Sequence, residues 1–285
     1  MYDLIIIGAG PAGISASLYA KRANLKVLVL YHGKADLESA SQIDNYYGFK
    51  DGISGKELYE NGIEQAKRIG VDVREEEVIN IEPGLNDIYL ISTTENKYET
   101  KAVILSTGNK KIKPNISGIN EFDGRGISYC AICDGFFYRN KNVVVIGNGN
   151  YALNEARELA HVAGNVKILT NGLDGVEQNE FEVITKKIKC ITGEAKVENI
   201  EFEDGEILKL DGIFVALGEA GGTDFAKKIG IIMNGDNIKV NENMETNIKG
   251  IFAAGNLTGG LLQISKAVCD GAKAGLQAIN YIRNK

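Results

Sequence analysis

The chain has 285 residues, 44% of them hydrophobic and 25% charged, the composition of an ordinary soluble globular protein with enough length for two cores. Its formal charge of −6 argues against nucleic acid as a partner. No apolar run approaches the ~18–20 residues of a membrane-spanning helix, and residues 1–8 read as a strand rather than a cleavable leader. The chain is therefore expected in the cytoplasm, where its four cysteines are thiols or a catalytic pair rather than a structural framework.

With 34 glycines against 3 prolines, the chain is rich in the residue that tight strand-to-helix turns require. Residues 4–7 form a continuous apolar run, the pattern of a strand buried on both faces. Gly8-Ala9-Gly10-Pro11-Ala12-Gly13 follows, and residues 11–23 carry small and large apolar side chains at helical spacing. Strand, glycine loop, helix and a second strand at 26–30 together make a dinucleotide-binding unit. Gly8 permits the turn, Gly10 lets backbone approach a pyrophosphate, and Gly13 lets helix and strand pack closely. The helix N-terminus offers its N–H groups to phosphate. Tyr31 stands where such a strand often ends in an acid.

A long loop, 31–53, precedes a helix at 54–69. Strands are predicted at 71–73, 78–81, 88–93 and 98–105, the middle ones an antiparallel meander ending at Ser106-Thr107-Gly108. Residues 109–114 read as a lysine-rich linker. A second unit then has a strand at 142–146, a glycine loop Gly147-Asn148-Gly149, a helix at 152–163 and a strand at 166–169. It continues through 180–187, a short β region near 188–208 and an apolar strand at 212–217. Around 237–244 the chain returns to the first domain, with a strand and turn at 250–255 and a closing helix at 264–282 rich in alanine and glycine. The fold class is thus α/β, with two doubly wound dinucleotide-binding-type domains, the second inserted into the first. The split domain covers 1–112 and 244–285, and the inserted one 113–243.

Ahead of the second glycine loop lies Cys130-Ala131-Ile132-Cys133-Asp134-Gly135. A Cys-x-x-Cys pair can open and close a disulfide at little strain, and it can equally be half of a zinc site. A second pair is missing: Cys190 and Cys269 are isolated, and the histidines are His32 and His161 alone. The location between two nucleotide-type loops favours redox chemistry. Asp134 reads either as a proton donor beside the dithiol or as a turn and helix-capping residue.

The order of these motifs, with Gly250-Ile251-Phe252-Ala253-Ala254-Gly255-Asn256 near the end, resembles the low-molecular-weight thioredoxin reductases over essentially the whole chain. The resemblance implies FAD in the first domain, with its pyrophosphate at Gly8, Gly10 and Gly13 and Ala12 as a further cofactor contact. It implies further flavin contacts from Gln42 and Asn45 in the segment Ser41–Gly48, from Thr107 and Gly108, and from Gly255, Asn256 and Gln263. Asn256 stands where the family usually has Asp, and Leu262-Gln263-Ile264 lacks the usual Arg. By the same resemblance Cys133 is the sulfur beside the flavin, Cys130 attacks the disulfide of thioredoxin, Asp134 is the acid, and the protein is a homodimer. Cys190 and Cys269 are expected to be inert core residues.

One segment departs from the family. Members that use NADPH carry a His-Arg-Arg run and a further Arg after the second strand of the inserted domain. This chain reads Leu169-Thr170-Asn171-Gly172-Leu173-Asp174-Gly175-Val176-Glu177, with no Arg or Lys between Lys167 and Lys186 and no acid at the strand end for NAD. The pattern is similar to the pyridine-nucleotide-independent branch, the ferredoxin-dependent flavin thioredoxin reductases, which implies ferredoxin as electron donor. Lys110, Lys111 and Lys113, or Lys186, Lys187 and Lys189, are candidate basic patches for an acidic partner. An NAD(P)H-dependent thioredoxin reductase with a weak nucleotide site, and a flavoprotein redox sensor, are the alternative readings.

Overall fold

The computed structural model describes residues 1–108, 114–175, 180–218 and 221–285, and of Cys133 the backbone only. Lys110, Lys111, Lys113 and Glu177 lie outside the described residues. The chain forms two compact units, one of Met1–Lys110 with Gly221–Lys285 and one of Lys111–Ala220.

In the first unit, β1 (Tyr2–Ile7), α1 (Pro11–Arg22), β2 (Val27–Tyr31), α2 (Gly55–Arg68) and β3 (Asp72–Glu75) are followed by β4 (Val78–Pro83), β5 (Tyr89–Thr93) and β6 (Lys97–Leu105). The sheet runs β3-β2-β1-β6-β5-β4. Its β1, β2, β3 and β6 are mutually parallel, whereas β4, β5 and β6 form the antiparallel meander. Leu4 to Ile7 are buried without alternation, as a strand covered on both faces must be.

The second unit opens with β7 (Ile127–Ser128) and α3 (Ala131–Asp134). It continues with β8 (Asn142–Ile146), α4 (Asn150–Ala160), β9 (Asn165–Leu169), β10 (Glu182–Ile184), β11 (Ile188–Thr192), β12 (Asn199–Phe202), β13 (Ile207–Lys209) and β14 (Gly212–Val215). Five strands form a parallel sheet ordered β10-β9-β8-β14-β7. Side chains alternate across it. Val144 and Ile146 join Ile191, Ile200 and Phe202 of the antiparallel β11-β12-β13 layer. Val143 and Val145 join Ala131, Ala152, Ala156 and Leu159 on the helical side.

The chain then passes through α5 (Gly222–Lys228), the hairpin β15 (Met233–Asn234) and β16 (Asn237–Ile238), β17 (Ile251–Ala253) and α6 (Ile264–Arg283). The return to the first unit comes at Gly221, earlier than the residue 244 expected from sequence. Its physical reason is a long-range contact: the Gly222 N–H donates to Thr107 Oγ1 at 2.8 Å, and Gly222 packs against the Leu257 side chain. α6 lies on α1 because its glycines admit that helix. A Cβ at Gly271 would overlap the Ala12 carbonyl, and one at Gly275 would sit 2.8 Å from the Ala16 oxygen. Among the described residues no helix is long and apolar enough to cross a membrane.

Candidate functional sites

The first site is built where three loops leave adjacent parallel strands at their C-terminal ends. β6 lies between β1 and β17, with Leu105 paired to Ile7 on one side and Ala253 on the other. Gly8–Gly13, Ser106–Gly108 and Ala254–Asn256 therefore emerge side by side, the position at which open α/β sheets bind ligands. Gly8 has φ +110°, and a Cβ there would lie 2.6 Å from the Ser106 carbonyl carbon. At Gly13 a Cβ would overlap the Gly8 carbonyl oxygen and come within 2.7 Å of Ser106 Oγ. Gly10 differs: among the described residues nothing lies within 4 Å of where its Cβ would be. Gly10 also precedes α1, with Pro11 in the first turn and no acidic residue there. Open space over glycine backbone and free N–H groups at a helix start fit the pyrophosphate of a dinucleotide. Gly108 has φ +77°, and among the described residues nothing lies within 4 Å of its Cβ position either.

The other predicted contacts divide into those the fold joins and those it does not. Asn45 Nδ2 donates to Gln263 Oε1 at 3.0 Å, bringing two segments distant in sequence together. Gln42 is held within its own loop, its amide donating to Asp44 Oδ1 and the Asp51 carbonyl at 3.0 Å each. Ala12 is buried between Gly255 and Gly271, and Thr107 tethers Gly222. Asn256 is partly exposed in the short helical turn after β17. Two further residues were missed in the sequence. Lys266 Nζ donates to the carbonyls of Gly255 and Gly259 and to Thr258 Oγ1 at 2.7–2.8 Å, and it pairs with Asp270 Oδ2 at 2.7 Å. Asp270 is buried and also accepts from the Gly255 N–H at 3.2 Å. The signal was their i, i+4 spacing on the inward face of α6.

The second site lies between β7 and α3. Cys130 is 3% exposed and disulfide-bonded, while Cys190 and Cys269 are free thiols. Ser128 Oγ donates to Asp134 Oδ2 at 2.6 Å and accepts from the Cys130 N–H at 3.1 Å. The Asp134 N–H donates to the Cys130 carbonyl at 3.2 Å. Although Asp134 begins the following short helical turn, its carboxylate makes no capping bond there. It is instead turned towards the Cys130 segment through Ser128. Around this buried knot Ile132, Phe136 and Phe137 are exposed by 48%, 67% and 68%. A buried carboxylate, Glu155 of α4, accepts the Ala131 N–H at 2.7 Å. Neither Ser128 nor Glu155 was singled out in the sequence. Glu155 shares a helical face with Ala152, Ala156 and Leu159, which was the available signal.

The second glycine loop seats α4: a Cβ at Gly147 would lie 2.7 Å from the Ala152 Cβ and overlap the Ala216 carbonyl. Beyond β9 the chain closes on itself. Thr170 Oγ1 donates to the Leu173 carbonyl at 2.6 Å, Asn171 adopts φ +53°, and its Oδ1 accepts the Ile188 N–H at 2.7 Å. Arg157 pairs with Glu180 and Lys167 with Glu182. Lys186 is neutralised by Asp204 and Glu206, and Lys189 by Glu201. These two lysines therefore do not form the free basic patch considered from sequence. Cys190 is only partly buried; burial and the Glu201 carboxylate raise its thiol pKa, consistent with an inert thiol. Cys269 is exposed and so is not the core residue expected.

The family model for pyridine nucleotide-disulphide oxidoreductases matches residues 2–271. The chain is 37% identical over 302 residues to a thioredoxin reductase of Treponema pallidum, covering 99% of this chain and 97% of that protein. The crystal structure of an atypical thioredoxin reductase from Desulfovibrio vulgaris Hildenborough is similar with TM-score 0.92 and 39% identity, covering 100% of this chain and 99% of the other. A ferredoxin-flavin thioredoxin reductase from Clostridium acetobutylicum is similar with TM-score 0.72 and 35% identity over 100% and 99% of the two chains. The chain therefore belongs to the pyridine nucleotide-disulphide oxidoreductase family, as an FAD-binding flavoprotein oxidoreductase among the thioredoxin reductases.

Proposed function

We propose that this flavoprotein reduces thioredoxin with electrons from reduced ferredoxin, through a Cys130–Cys133 disulfide in the inserted unit. The carrying observation is the segment after β9. Its sequence has no cation between Lys167 and Lys186, and its described part is a self-closed turn whose Asn171 side chain is committed to the Ile188 N–H. A 2′-phosphate normally meets two or three cationic groups, each contributing roughly 1.5–3 kcal/mol. Without two of them, affinity falls by about 3–6 kcal/mol, on the order of a hundred- to ten-thousandfold. The likeness to a protein named as a ferredoxin-flavin thioredoxin reductase supports the same donor.

In the split unit, Gly8, Gly10 and Gly13 would hold the FAD pyrophosphate, with Ala12, Thr107, Gly108, Gly255 and Asn256 lining the same loops and Gln42, Asn45 and Gln263 nearer the ring. Bound FAD supplies a carrier that takes electrons singly and delivers them in pairs. The disulfide takes up two electrons and two protons to become a dithiol. Cys130 passes its proton to Asp134 and attacks one sulfur of the thioredoxin disulfide as thiolate, and the departing thioredoxin thiolate takes that proton from Asp134. Cys133 then passes its proton to Asp134 and attacks Cys130 as thiolate; the second thioredoxin thiolate leaves, takes that proton, and the Cys130–Cys133 bond is restored. Ser128 keeps Asp134 against this segment. The exposed apolar side chains of Ile132, Phe136 and Phe137 suit docking of a protein rather than a small thiol.

Steady-state reduction of thioredoxin tests the proposal, with photoreduced ferredoxin, NADPH and NADH offered in turn under anaerobic conditions. Turnover with ferredoxin alone is the expected result. Turnover with either nicotinamide at micromolar concentration favours the nucleotide-dependent alternative, and no turnover with any donor favours a redox sensor.

A further inference from the structure

We propose that Glu155 is a positioning residue for the Cys130–Cys133 pair, and that α4, the helix after the second glycine loop, serves as the platform of this pair. The inference rests on reading the pair as the redox centre. Glu155 is 1% exposed, on the buried side of α4 with Ala152, Ala156 and Leu159, which belong to an apolar cluster that also includes Ala131 and Phe214. A carboxylate is placed in such surroundings only at a cost, which a specific hydrogen bond has to offset. Glu155 Oε2 accepts the peptide N–H of Ala131 at 2.7 Å, a bond that offsets part of this cost. Ala131 is itself buried, directly follows Cys130 and opens α3, so its N–H has no acceptor within that helix.

One turn earlier on α4, the buried Tyr151 directs its hydroxyl to the Tyr129 carbonyl at 3.4 Å. α4 thus holds the backbone on both sides of Cys130, while Ser128 and the Asp134 N–H hold Cys130 itself. The glycine loop has a use in this arrangement that needs no nucleotide. Gly147 lets α4 sit against β14, which fixes the height of Glu155 over Ala131. Loss of the acceptor weakens the cross-linked form more than the dithiol, because the open segment relaxes and the closed one does not.

The test is the equilibrium of the FAD-loaded full chain with dithiothreitol, without ferredoxin or thioredoxin. Two electrons and two protons pass from dithiothreitol, which closes to its ring disulfide, and the protein disulfide opens to two thiols. Acid quenching, alkylation and peptide mass measurement count the thiols at Cys130 and Cys133. Glu155→Leu removes the acceptor, and Glu155→Asp retracts it by one methylene. Each is expected to shift the equilibrium at least tenfold towards the dithiol, equivalent to about 30 mV. Glu155→Gln keeps an oxygen at the same reach and is expected within threefold of wild type. Ile168→Ala loosens the same core from β9 and is expected to leave the equilibrium unchanged. FAD content identifies the folded variants, and Glu155→Asp decides if Glu155→Leu does not fold. Equilibria within threefold of wild type for the folded acceptor-loss variants overturn the proposal, as does an equal shift in Ile168→Ala. A wild-type pair that forms no reducible disulfide overturns the underlying reading of the site, and is recognised separately because no equilibrium exists to shift.

Discussion

Gly10 and Gly13 belong to one loop, yet open space surrounds one and close contacts the other, so the proposed FAD site gives them opposite roles, which single Cβ additions separate. In Gly13→Ala the new atom overlaps the Gly8 carbonyl oxygen and comes within 2.7 Å of Ser106 Oγ, so α1 has to retreat from β1. Overpacking of this kind costs about 1–3 kcal/mol, or roughly 2–12 °C in Tm at ~2–4 °C per kcal/mol. In Gly10→Ala the new atom enters open space, at an extended backbone angle of φ −70° that alanine adopts without strain. The loss of a favoured capping glycine is offset by the smaller entropy of the unfolded chain, each term being a few tenths to about 1 kcal/mol. The Tm of the FAD-free protein should therefore change by less than about 3 °C. FAD should be the casualty, because the methyl group takes the space through which, in the proposed site, backbone would meet pyrophosphate. FAD per chain from visible absorbance, and Tm from circular dichroism after FAD removal, read the two effects independently. Full FAD occupancy in Gly10→Ala, or an FAD-free Tm lowered as far as in Gly13→Ala, would refute the assignment.

Cys130→Ser should abolish thioredoxin turnover and form no mixed disulfide, whereas Cys133→Ser should trap thioredoxin on Cys130, visible as a band of summed mass on non-reducing gels. Asp134→Asn keeps an acceptor for Ser128 but not the proton, and should slow thiol exchange by ~10²-fold or more with FAD content unchanged. Lys266→Met strips the partner from buried Asp270 and should destabilise by about 3 kcal/mol or more, with Lys266→Met/Asp270→Asn recovering part of the melting temperature. Burial disfavours ionised Glu76, but hydrogen bonds from Tyr98, Thr93 and Asn96 outweigh it and hold the carboxyl below its ordinary value. Its stabilisation is thus complete above the unfolded-state value of about 4.5 and is lost as pH falls through the lower folded value. Urea titrations from pH 6 down to ~3 should show a shallower loss of stability in Glu76→Gln than in wild type.

Both βαβ units were legible in the sequence because their signals are local. An uninterrupted apolar run such as Leu4–Ile7 fixes a strand, and a glycine loop fixes the turn after it. The return to the first unit was misplaced because α5 is short, polar at its end and introduced by glycines, and a contact to Thr107 far back in the chain ties it down. Site residues followed the same rule. The glycines announced themselves by type, whereas Ser128 and Glu155 matter through what the fold brings to them. Glu155 reads as a surface residue in Asn154-Glu155-Ala156-Arg157 until its shared face with Ala152 and Leu159 is weighed. The Asn45–Gln263 contact joins two loops whose proximity no local pattern encodes.

The central claim, that the inserted unit has lost its nucleotide and the electrons arrive otherwise, is tested most directly by anaerobic stopped-flow mixing of the oxidised protein with its candidate donors. Flavin absorbance is followed against concentration of NADPH, NADH and reduced ferredoxin. The account predicts rapid, saturable bleaching with ferredoxin and negligible bleaching with either nicotinamide at micromolar concentration. Rapid, saturable bleaching by micromolar NADPH or NADH would contradict it, as would failure of reduced ferredoxin to bleach the flavin.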